Sequence, residues 1–400
     1  MGFRLAGEIL ICRVATNQNF LPSNSYKNER KWDAVRRIIV WTTLLMMLAG
    51  MTCRAEGRGI TAMTRVTKWG QLPVRFEITG QTLPGGVSAS DFAITGRAAG
   101  WENTSLHDFS CGVAAIEEIE GGWALIPETF PEKYFYVREL TVSCAAHPEL
   151  DFGLSDIGRT LTATADDFTD VEDHDSRFTA HVFIPEAGEP LPLVLVFHGY
   201  GDDHNLLSYR TATAWAEPES QAVHPCVVVA PVINTTYYGS EIARSRIYEG
   251  VVHYIDALID AGKVDPRRVY AMGNSFGGMA ALEIAEQHPG RFAALLALCP
   301  ALSYGPNATA QLPLLRDVPV AIALAENDET IPSSVGIAAA EAIEAAGNDR
   351  VWLRVYTDDE MIAAGATLGR EYTYSFHHVE LAVMEDEAYA SWLFSWTMER

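Results

Sequence analysis

The hexapeptide Gly-Asn-Ser-Phe-Gly-Gly at residues 273–278 lies between two regular segments of the sequence. The run 268–272 before it predicts a strand, and residues 276–287 after it predict a helix. Such a tight turn between a strand and a helix tolerates only small neighbours, and it lifts the hydroxyl of Ser275 above the end of a sheet. The pattern G-x-S-x-G is weak by itself, but between a strand and a helix it indicates a nucleophilic serine.

The histidine that would activate Ser275 is predicted near the C-terminus. A serine hydroxyl is a poor nucleophile at neutral pH, so it needs a histidine to take its proton and an acid to orient that histidine. When the serine lies on a turn of this kind, the acid and then the histidine follow it in the chain. Of the eleven histidines, only His377 and His378 lie beyond the region expected to carry the acid. The sequence leaves the choice between them open.

The predicted acid is Asp328. Residues 318–324 form an unbroken apolar run, which predicts a buried parallel strand, and a polar loop follows at 325–332. Asp328 therefore lies after the carboxyl end of a strand, where open α/β sheets carry their sites. A purely turn-forming role is the competing interpretation. The alternative acids are Asp358, Asp359 and Glu326.

Two backbone amides are predicted to bind the negative oxygen that develops during acyl transfer. The N–H of Phe276, directly after the nucleophile, is the first of them. The second is expected in the glycine-containing loop 198–203, which follows the predicted strand 193–197, and we assign it to the N–H of Tyr200. His198 is interpreted as holding this loop in shape through hydrogen bonds, because it precedes the serine in the chain.

Four segments resemble the secreted serine esterases of the α/β-hydrolase superfamily, among the polyhydroxybutyrate-depolymerase-like and feruloyl-esterase-like members. They are Pro190–Gly201, Ala214–Pro231, Val264–Gly278 and Asp328–Pro332. The resemblance covers the chain from residue 176 to its end. It departs from the family before the acid, where the family has a His-Gly pair and this chain has Leu324-Ala325.

The resemblance implies a fold, a site and an activity. The α/β-hydrolase fold is a mostly parallel sheet with helices on both faces, and the predicted strands and helices alternate accordingly over residues 176–400. The site would be a triad of Ser275, Asp328 and either His377 or His378. The activity would be hydrolysis of small acetyl, feruloyl or short-chain esters without a cofactor. Two alternatives are a serine peptidase of the same superfamily and a carbohydrate-binding protein with an inactive hydrolase domain.

A segment of different character precedes this domain. Over residues 65–150, short apolar runs are separated by Gly, Pro, Asn and Asp, and several alternate with period two. This pattern predicts an antiparallel sheet with one wet face, and the length suits a small β-sandwich. The segment resembles the immunoglobulin-like module of some esterases, with polysaccharide binding or a stabilising spacer as its role. Residues 155–175 are interpreted as a linker with a first strand at 159–164.

Residues 1–55 are predicted to be a leader. Arg36 and Arg37 precede the apolar run 38–52, which is typical of a secretory signal. The run is short for a membrane span, which needs about 20 apolar residues, and an uncleaved anchor is the alternative. The sequence therefore predicts a secreted or cell-envelope-associated protein.

Charge and cysteine content restrict the partners. The formal net charge of −23 opposes binding to nucleic acid or anionic lipid. The resemblance to serine esterases implies a small-molecule or polysaccharide-linked ester as partner, and we expect membrane contact only through the leader. The sequence contains no C-x-x-C or H-E-x-x-H motif, so no metal site is predicted. Cys111 and Cys144 would pair in an oxidising compartment, whereas Cys226 and Cys299 are interpreted as inert core thiols.

Overall fold

The computed structural model describes residues 57–99, 106–130, 136–173, 178–202, 206–304, 309–366 and 376–399. The predicted leader at 1–55 lies outside these ranges. Residues Arg58–Arg400 form one compact unit. Within the described ranges, no helix has the length and apolar character that crossing a bilayer requires.

Two β-sheets form the first part of this unit. Their strands are β1 Gly59–Val66, β2 Gln71–Thr79, β3 Phe92–Ala99, β4 His107–Cys111, β5 Val113–Ile119, β6 Gly122–Pro127, β7 Tyr136–Cys144, β8 Phe152–Gly153 and β9 Arg159–Thr162. The strand orders are β5-β6-β2-β1-β9 and β4-β3-β7-β8. Buried residues alternate with more exposed ones along β1, as expected for a strand with one face on a core. The Phe76 ring of the first sheet lies 5.5 Å from the Phe152 ring of the second.

These sheets extend beyond the predicted range of 65–150. The strand predicted at 159–164 is β9, and it pairs in parallel with β1. It therefore belongs to the first sheet and does not lead into the domain that follows. Its pairing partner lies far away in the sequence, so the local pattern could not reveal this. The domain boundaries and the immunoglobulin-like classification stay predictions.

The suggested disulfide between Cys111 and Cys144 is not formed, and both thiols are free. Cys111 of β4 is paired with Ile94 of β3, and Cys144 of β7 is paired with Phe92 on the other side of β3. Neighbouring strands lie about 4.8 Å apart, so the Cα atoms of the two cysteines are at least about 10 Å apart. This separation exceeds the Cα distance of about 7 Å that a disulfide can bridge.

The second part of the unit is built on an eight-stranded sheet. Its strands are β10 Thr169–Asp173, β11 Phe178–Phe183, β12 Leu191–Phe197, β13 Val227–Pro231, β14 Val264–Asn274, β15 Ala294–Leu298, β16 Val320–Ala325 and β17 Val351–Tyr356. The order is β10-β11-β13-β12-β14-β15-β16-β17. The pairs β10–β11 and β11–β13 are antiparallel and the other pairs are parallel. Every residue of β12 is buried, which explains its unbroken apolar run.

Helices lie between the parallel strands and after the last strand, β17. They are α1 Arg210–Thr213, α2 Pro218–Val223, α3 Glu241–Asp260, α4 Phe276–Gln287, α5 Ser333–Ala345, α6 Asp358–Ala363, α7 Glu380–Val383 and α8 Glu387–Ser395. Helix α4 has the predicted bounds, and α8 ends at Ser395. Beyond that point Tyr270 Oη donates to the Trp396 carbonyl at 2.8 Å, and the Met398 amide donates to the Arg267 carbonyl at 3.0 Å. These bonds to β14 hold the chain in an extended path.

Each face of the eight-stranded sheet carries an apolar core. Leu195 of β12 belongs to one core, and its neighbours Val194 and Val196 belong to the other. Residues of α3, α4 and α5 contribute to the first core, and residues of α1 and α8 to the second. The second core also contains the inward-facing residues of the two N-terminal sheets. The two parts of the unit therefore share this second core.

Candidate active site

Ser275 lies on a strained turn between β14 and α4. Its φ of 56° and ψ of −119° are rare for a residue other than glycine. Backbone hydrogen bonds on both sides of the turn stabilise this strained conformation. The Ser275 amide donates to the Leu298 carbonyl at 2.9 Å, and the Ser275 carbonyl accepts from Met279 at 3.1 Å and from Ala301 at 3.0 Å. The neighbouring strand and the helix thus fix the position of the serine, as strained functional turns require.

The glycines of the hexapeptide are explained by close approach to β12. A Cβ on Gly273 would lie 2.5 Å from the Phe197 carbonyl oxygen. A Cβ on Gly277 would overlap the same oxygen. Side chains at either position would therefore push the turn away from the sheet. This is the physical reason for the pattern found in the sequence.

Asp328 follows β16, at the same end of the sheet. Its side chain is 1% exposed. One carboxylate oxygen accepts hydrogen bonds from the amides of Thr330 at 2.7 Å and Ile331 at 2.8 Å. The other accepts from His377 Nδ1–H at 2.8 Å. The short local turn therefore fixes the carboxylate, and the carboxylate in turn fixes the histidine.

The two candidate histidines have different partners. His377 donates to Asp328, whereas His378 Nδ1 bonds the Glu380 carboxylate at 2.8 Å. Because Nδ1 of His377 carries the proton in this bond, its Nε2 is the nitrogen that can accept one. The alternative acid Asp358 accepts from the Asn327 side-chain amide at 3.0 Å. Of the predicted residues, the structure therefore brings Asp328 and His377 together.

Cys299 is a residue of the site whose role the sequence analysis missed. It directly follows β15 and has a positive φ of 35°. Its thiol donates to the His377 carbonyl at 3.1 Å. Burial and the nearby carboxylates of Glu380 and Asp328 raise the pKa of the thiol well above its usual range, so the thiol is neutral. The only signal in the sequence was its place at the carboxyl end of a strand.

Cys299, Asp328 and His377 also come close enough to suggest a metal site. Their sulfur, carboxylate oxygen and ring nitrogen lie within 4.8 Å of one another. The Cys299 thiol donates to the His377 carbonyl at 3.1 Å. The carboxylate and Nδ1–H already bond each other. We therefore assign these groups to hydrogen bonding and not to a metal ion.

The loop that carries Tyr200 packs against the turn of Ser275. A Cβ on Gly199 would lie 3.3 Å from the Asn274 side-chain nitrogen, which shows how closely the loop approaches. His198 is buried, with Nδ1–H donating to the Gly199 carbonyl at 2.7 Å and Nε2 accepting from the Ile233 amide at 2.9 Å. Both ring nitrogens therefore serve to shape the loop, in agreement with the structural role predicted from the sequence.

Phe276 is the first residue of α4, and aromatic rings surround its side chain. The first amides of a helix have no acceptor within the helix, so the N–H of Phe276 suits the predicted oxyanion role. Its ring centroid lies 4.9 Å from that of Tyr238, 5.7 Å from Tyr200 and 5.6 Å from Tyr304. Tyr200 and Tyr304 are 65% and 61% exposed. An accessible aromatic surface therefore adjoins the serine.

Comparison with solved structures places this arrangement in the α/β-hydrolase fold. A crystal structure of a thermostable esterase matches 85% of this chain and 100% of its own, with 21% identity and a TM-score of 0.65. Est1E from Butyrivibrio proteoclasticus matches 57% of this chain and 98% of its own, with 15% identity and a TM-score of 0.41. The S-formylglutathione hydrolase from Agrobacterium tumefaciens matches 56% and 93%, with 17% identity and a TM-score of 0.42. The first of these likenesses confirms the α/β-hydrolase fold predicted for residues 176–400, whereas the β-sandwich predicted before it stays a prediction.

Comparison of the sequence with family profiles matches a shorter part of the chain. The profile of the Prolyl oligopeptidase family matches residues 241–314, a segment that includes Ser275. This segment is less than half of the chain. The search of curated proteins finds no match to the sequence.

Proposed function

We propose that this protein is a serine carboxylesterase, with Ser275 as nucleophile, His377 as base and Asp328 as the orienting acid. The observation that carries the proposal is the 2.8 Å bond between His377 and the buried carboxylate of Asp328. It is supported by the strained turn of Ser275 and by the fold. Acetyl, feruloyl and short-chain acyl esters are the proposed substrates.

The proposed reaction has two halves. Ser275 Oγ attacks the ester carbonyl while His377 Nε2 takes its proton, and Asp328 stabilises the imidazolium. The amides of Phe276 and Tyr200 bind the resulting oxyanion. The intermediate collapses, the alcohol leaves with the proton from His377, and an acyl-serine remains. Water, deprotonated by His377, then attacks the acyl-serine, and His377 returns this proton to Ser275 Oγ as the acid leaves.

A serine peptidase is the second candidate, because the matched family is that of prolyl oligopeptidase. An amine anion is a poorer leaving group than an alkoxide, so amide hydrolysis depends more strongly on protonation of the leaving group than ester hydrolysis does. Comparing p-nitrophenyl acetate with an aminoacyl p-nitroanilide separates the two candidates. The esterase proposal expects turnover of the ester and little of the anilide. Turnover of neither would favour the third interpretation, a carbohydrate-binding protein with an inactive hydrolase domain.

Substitution of Asp328 with asparagine is expected to lower kcat by about 10⁴-fold, the size of effect seen when the acid of a triad is replaced by its amide. Asparagine keeps the shape of the side chain but loses the negative charge that stabilises the imidazolium. The measurement is the initial rate with p-nitrophenyl acetate. Asp358→Asn is the matched control and is expected to keep the wild-type rate. Equal losses in the two variants would contradict the assignment of the acid.

Replacement of Tyr304 by alanine is expected to lower kcat/KM for methyl ferulate about fivefold, since an aromatic contact contributes about 1 kcal/mol beyond its buried area. Methyl butyrate has the same leaving group and no ring, so its kcat/KM is expected to stay nearly unchanged. Tyr304→Phe keeps the ring and serves as the control. If both substrates lost activity equally, the aromatic surface would not recognise the acyl group.

Export is a further part of the proposal, supported by the signal-like run at 38–52. N-terminal sequencing of the protein recovered outside producing cells tests it. A start after the run supports a cleaved signal, and a protein retained in the cell interior contradicts export.

A further inference from the structure

The turn between β1 and β2 has a tightly bonded tip at residues 67–70. The Thr67 amide donates to the Gly70 carbonyl at 2.6 Å, and the Thr67 hydroxyl donates to the same carbonyl at 2.7 Å. The Gly70 amide donates back to the Thr67 hydroxyl oxygen at 3.3 Å. Trp69 projects from this tip and is only 1% exposed. The N-terminal sheets therefore present a rigid turn with a buried indole.

Trp69 contacts the residue next to the proposed catalytic base. The centroids of the Trp69 and His378 rings lie 5.4 Å apart, with an angle of 65° between the planes. Burial lowers the pKa of His378, but the carboxylates of Glu380, Asp202 and Glu329 together raise it by more, and the net pKa lies above the usual histidine value. The His378–Glu380 pair is thus held against the indole. Such an edge contact between rings is favourable beyond its buried area.

Lys68, beside Trp69, fastens the same turn to the second part of the unit. Its ammonium donates to the Ala364 carbonyl at 3.2 Å and lies 3.5 Å from the Glu385 carboxylate. Arg210 shares Glu385, with an ion pair at 2.6 Å. Ala364 precedes the two histidines in the sequence and Glu385 follows them, so Lys68 anchors the turn to residues on both sides of the histidine segment.

A small cavity of about 30 Å³ lies beside the turn. Its lining includes Lys68 and Trp69 of the turn, Asn274 directly before the nucleophile, and His378 and Glu380. The turn from the N-terminal sheets therefore lines one cavity together with the residue before the nucleophile and with the histidine segment.

The histidine segment needs such support because regular structure contributes little to it. Residues 376–379 precede the four-residue helix α7 and form only turns. On one side, Cys299 bonds the His377 carbonyl at 3.1 Å. On the other side, the large ring of Trp69 packs on His378. A catalytic group must stay within about 0.5 Å of its productive place, which requires neighbours that lock it.

We propose that Trp69 is a positioning residue that holds His377 in place through its contact with His378. The proposal rests on the proposed function in taking His377 as the base. Trp69 acts by keeping the His377 ring on Asp328, so that its loss lowers the fraction of molecules with a competent site. The N-terminal sheets are in this sense part of the active site, which distinguishes them from a spacer.

The test compares Trp69→Ala and Trp69→Phe with Trp123→Ala in the full chain. Trp123 is a matched control, because it is also 1% exposed and lies in β6 of the same sheet, with its ring 5.6 Å from Phe92. Trp69→Ala is expected to lower kcat about 10- to 100-fold, as displacement of a catalytic group by about 1 Å does, and to leave KM nearly unchanged. Trp69→Phe is expected to restore most of kcat. Trp123→Ala is expected to lose thermal stability but keep kcat at temperatures where it is folded.

A second measurement does not depend on activity. In protein labelled with ¹⁵N at histidine, the Nδ1 proton of His377 is expected to exchange faster with water in Trp69→Ala and to remain protected in Trp123→Ala. If Trp69→Ala does not fold, Trp69→Leu and Trp123→Leu replace the alanine pair. Equal kcat and equal proton exchange in the Trp69 and Trp123 variants would overturn the proposal. Absence of ester turnover by the wild-type protein would instead overturn the proposed function, while the proton exchange would still decide the role of Trp69.

Discussion

Ser275→Ala is expected to reduce the hydrolysis of p-nitrophenyl acetate by about 10⁶-fold, as removal of a triad nucleophile does in a well-measured serine hydrolase. The variant retains the oxyanion amides and the substrate site, but it cannot form the acyl-serine. The backbone of residue 275 is held by its bonds to Leu298, Met279 and Ala301, so the fold is expected to survive. The initial rate and the thermal unfolding midpoint are measured together.

The matched control for this prediction is Ser334→Ala, an exposed serine in α5. It removes one hydroxyl of the same kind far along the chain from the turn, and it is expected to leave the rate unchanged. An unfolded Ser275→Ala would be recognised from its melting curve. A folded Ser275→Ala with activity comparable to that of the control would contradict the role of the nucleophile.

His377→Ala is expected to lower kcat nearly as much as Ser275→Ala does, again by about 10⁶-fold, because the members of a triad act as a unit. The neighbouring variant His378→Ala keeps the base and loses only its support, so its loss is expected to be no greater than about 100-fold. The measurement is kcat with p-nitrophenyl acetate for both variants. The pair is informative because the two positions are adjacent and both carry imidazoles that bond carboxylates.

The order of the two losses decides the assignment. If His378→Ala lost more activity than His377→Ala, the base would be His378, and the contact with Asp328 would be structural. Addition of free imidazole offers a further check, because a small base can restore some activity where the missing group was the proton acceptor.

Local patterns in the sequence predicted the elements that carry the site. The apolar run of β16 and the polar loop after it identified Asp328, and the glycines around Ser275 identified the turn. Both depend on residues close together in the chain. The choice between His377 and His378 could not be made in this way, because it depends on which imidazole meets a carboxylate 49 positions away in the sequence.

The remaining features of the site depend on long-range packing. Cys299 was interpreted as an inert core thiol, because nothing in its neighbourhood shows that His377 folds over it. Trp69 lies in a β-turn of the N-terminal sheets, and no periodicity links that turn to the C-terminal histidines. Pairing of Arg159–Thr162 with β1 was missed for the same reason. The sequence thus predicted the groups proposed to do the chemistry better than the contacts that hold them.

Peptide mapping after treatment with a phosphonate ester probe tests the central claim most directly. Such a probe bonds covalently to an activated serine, and mass spectrometry identifies the modified residue. We expect one phosphonylated site, at Ser275, and loss of labelling in His377→Ala. Labelling at another residue, or turnover of esters by a protein in which Ser275 remains unlabelled, would contradict it.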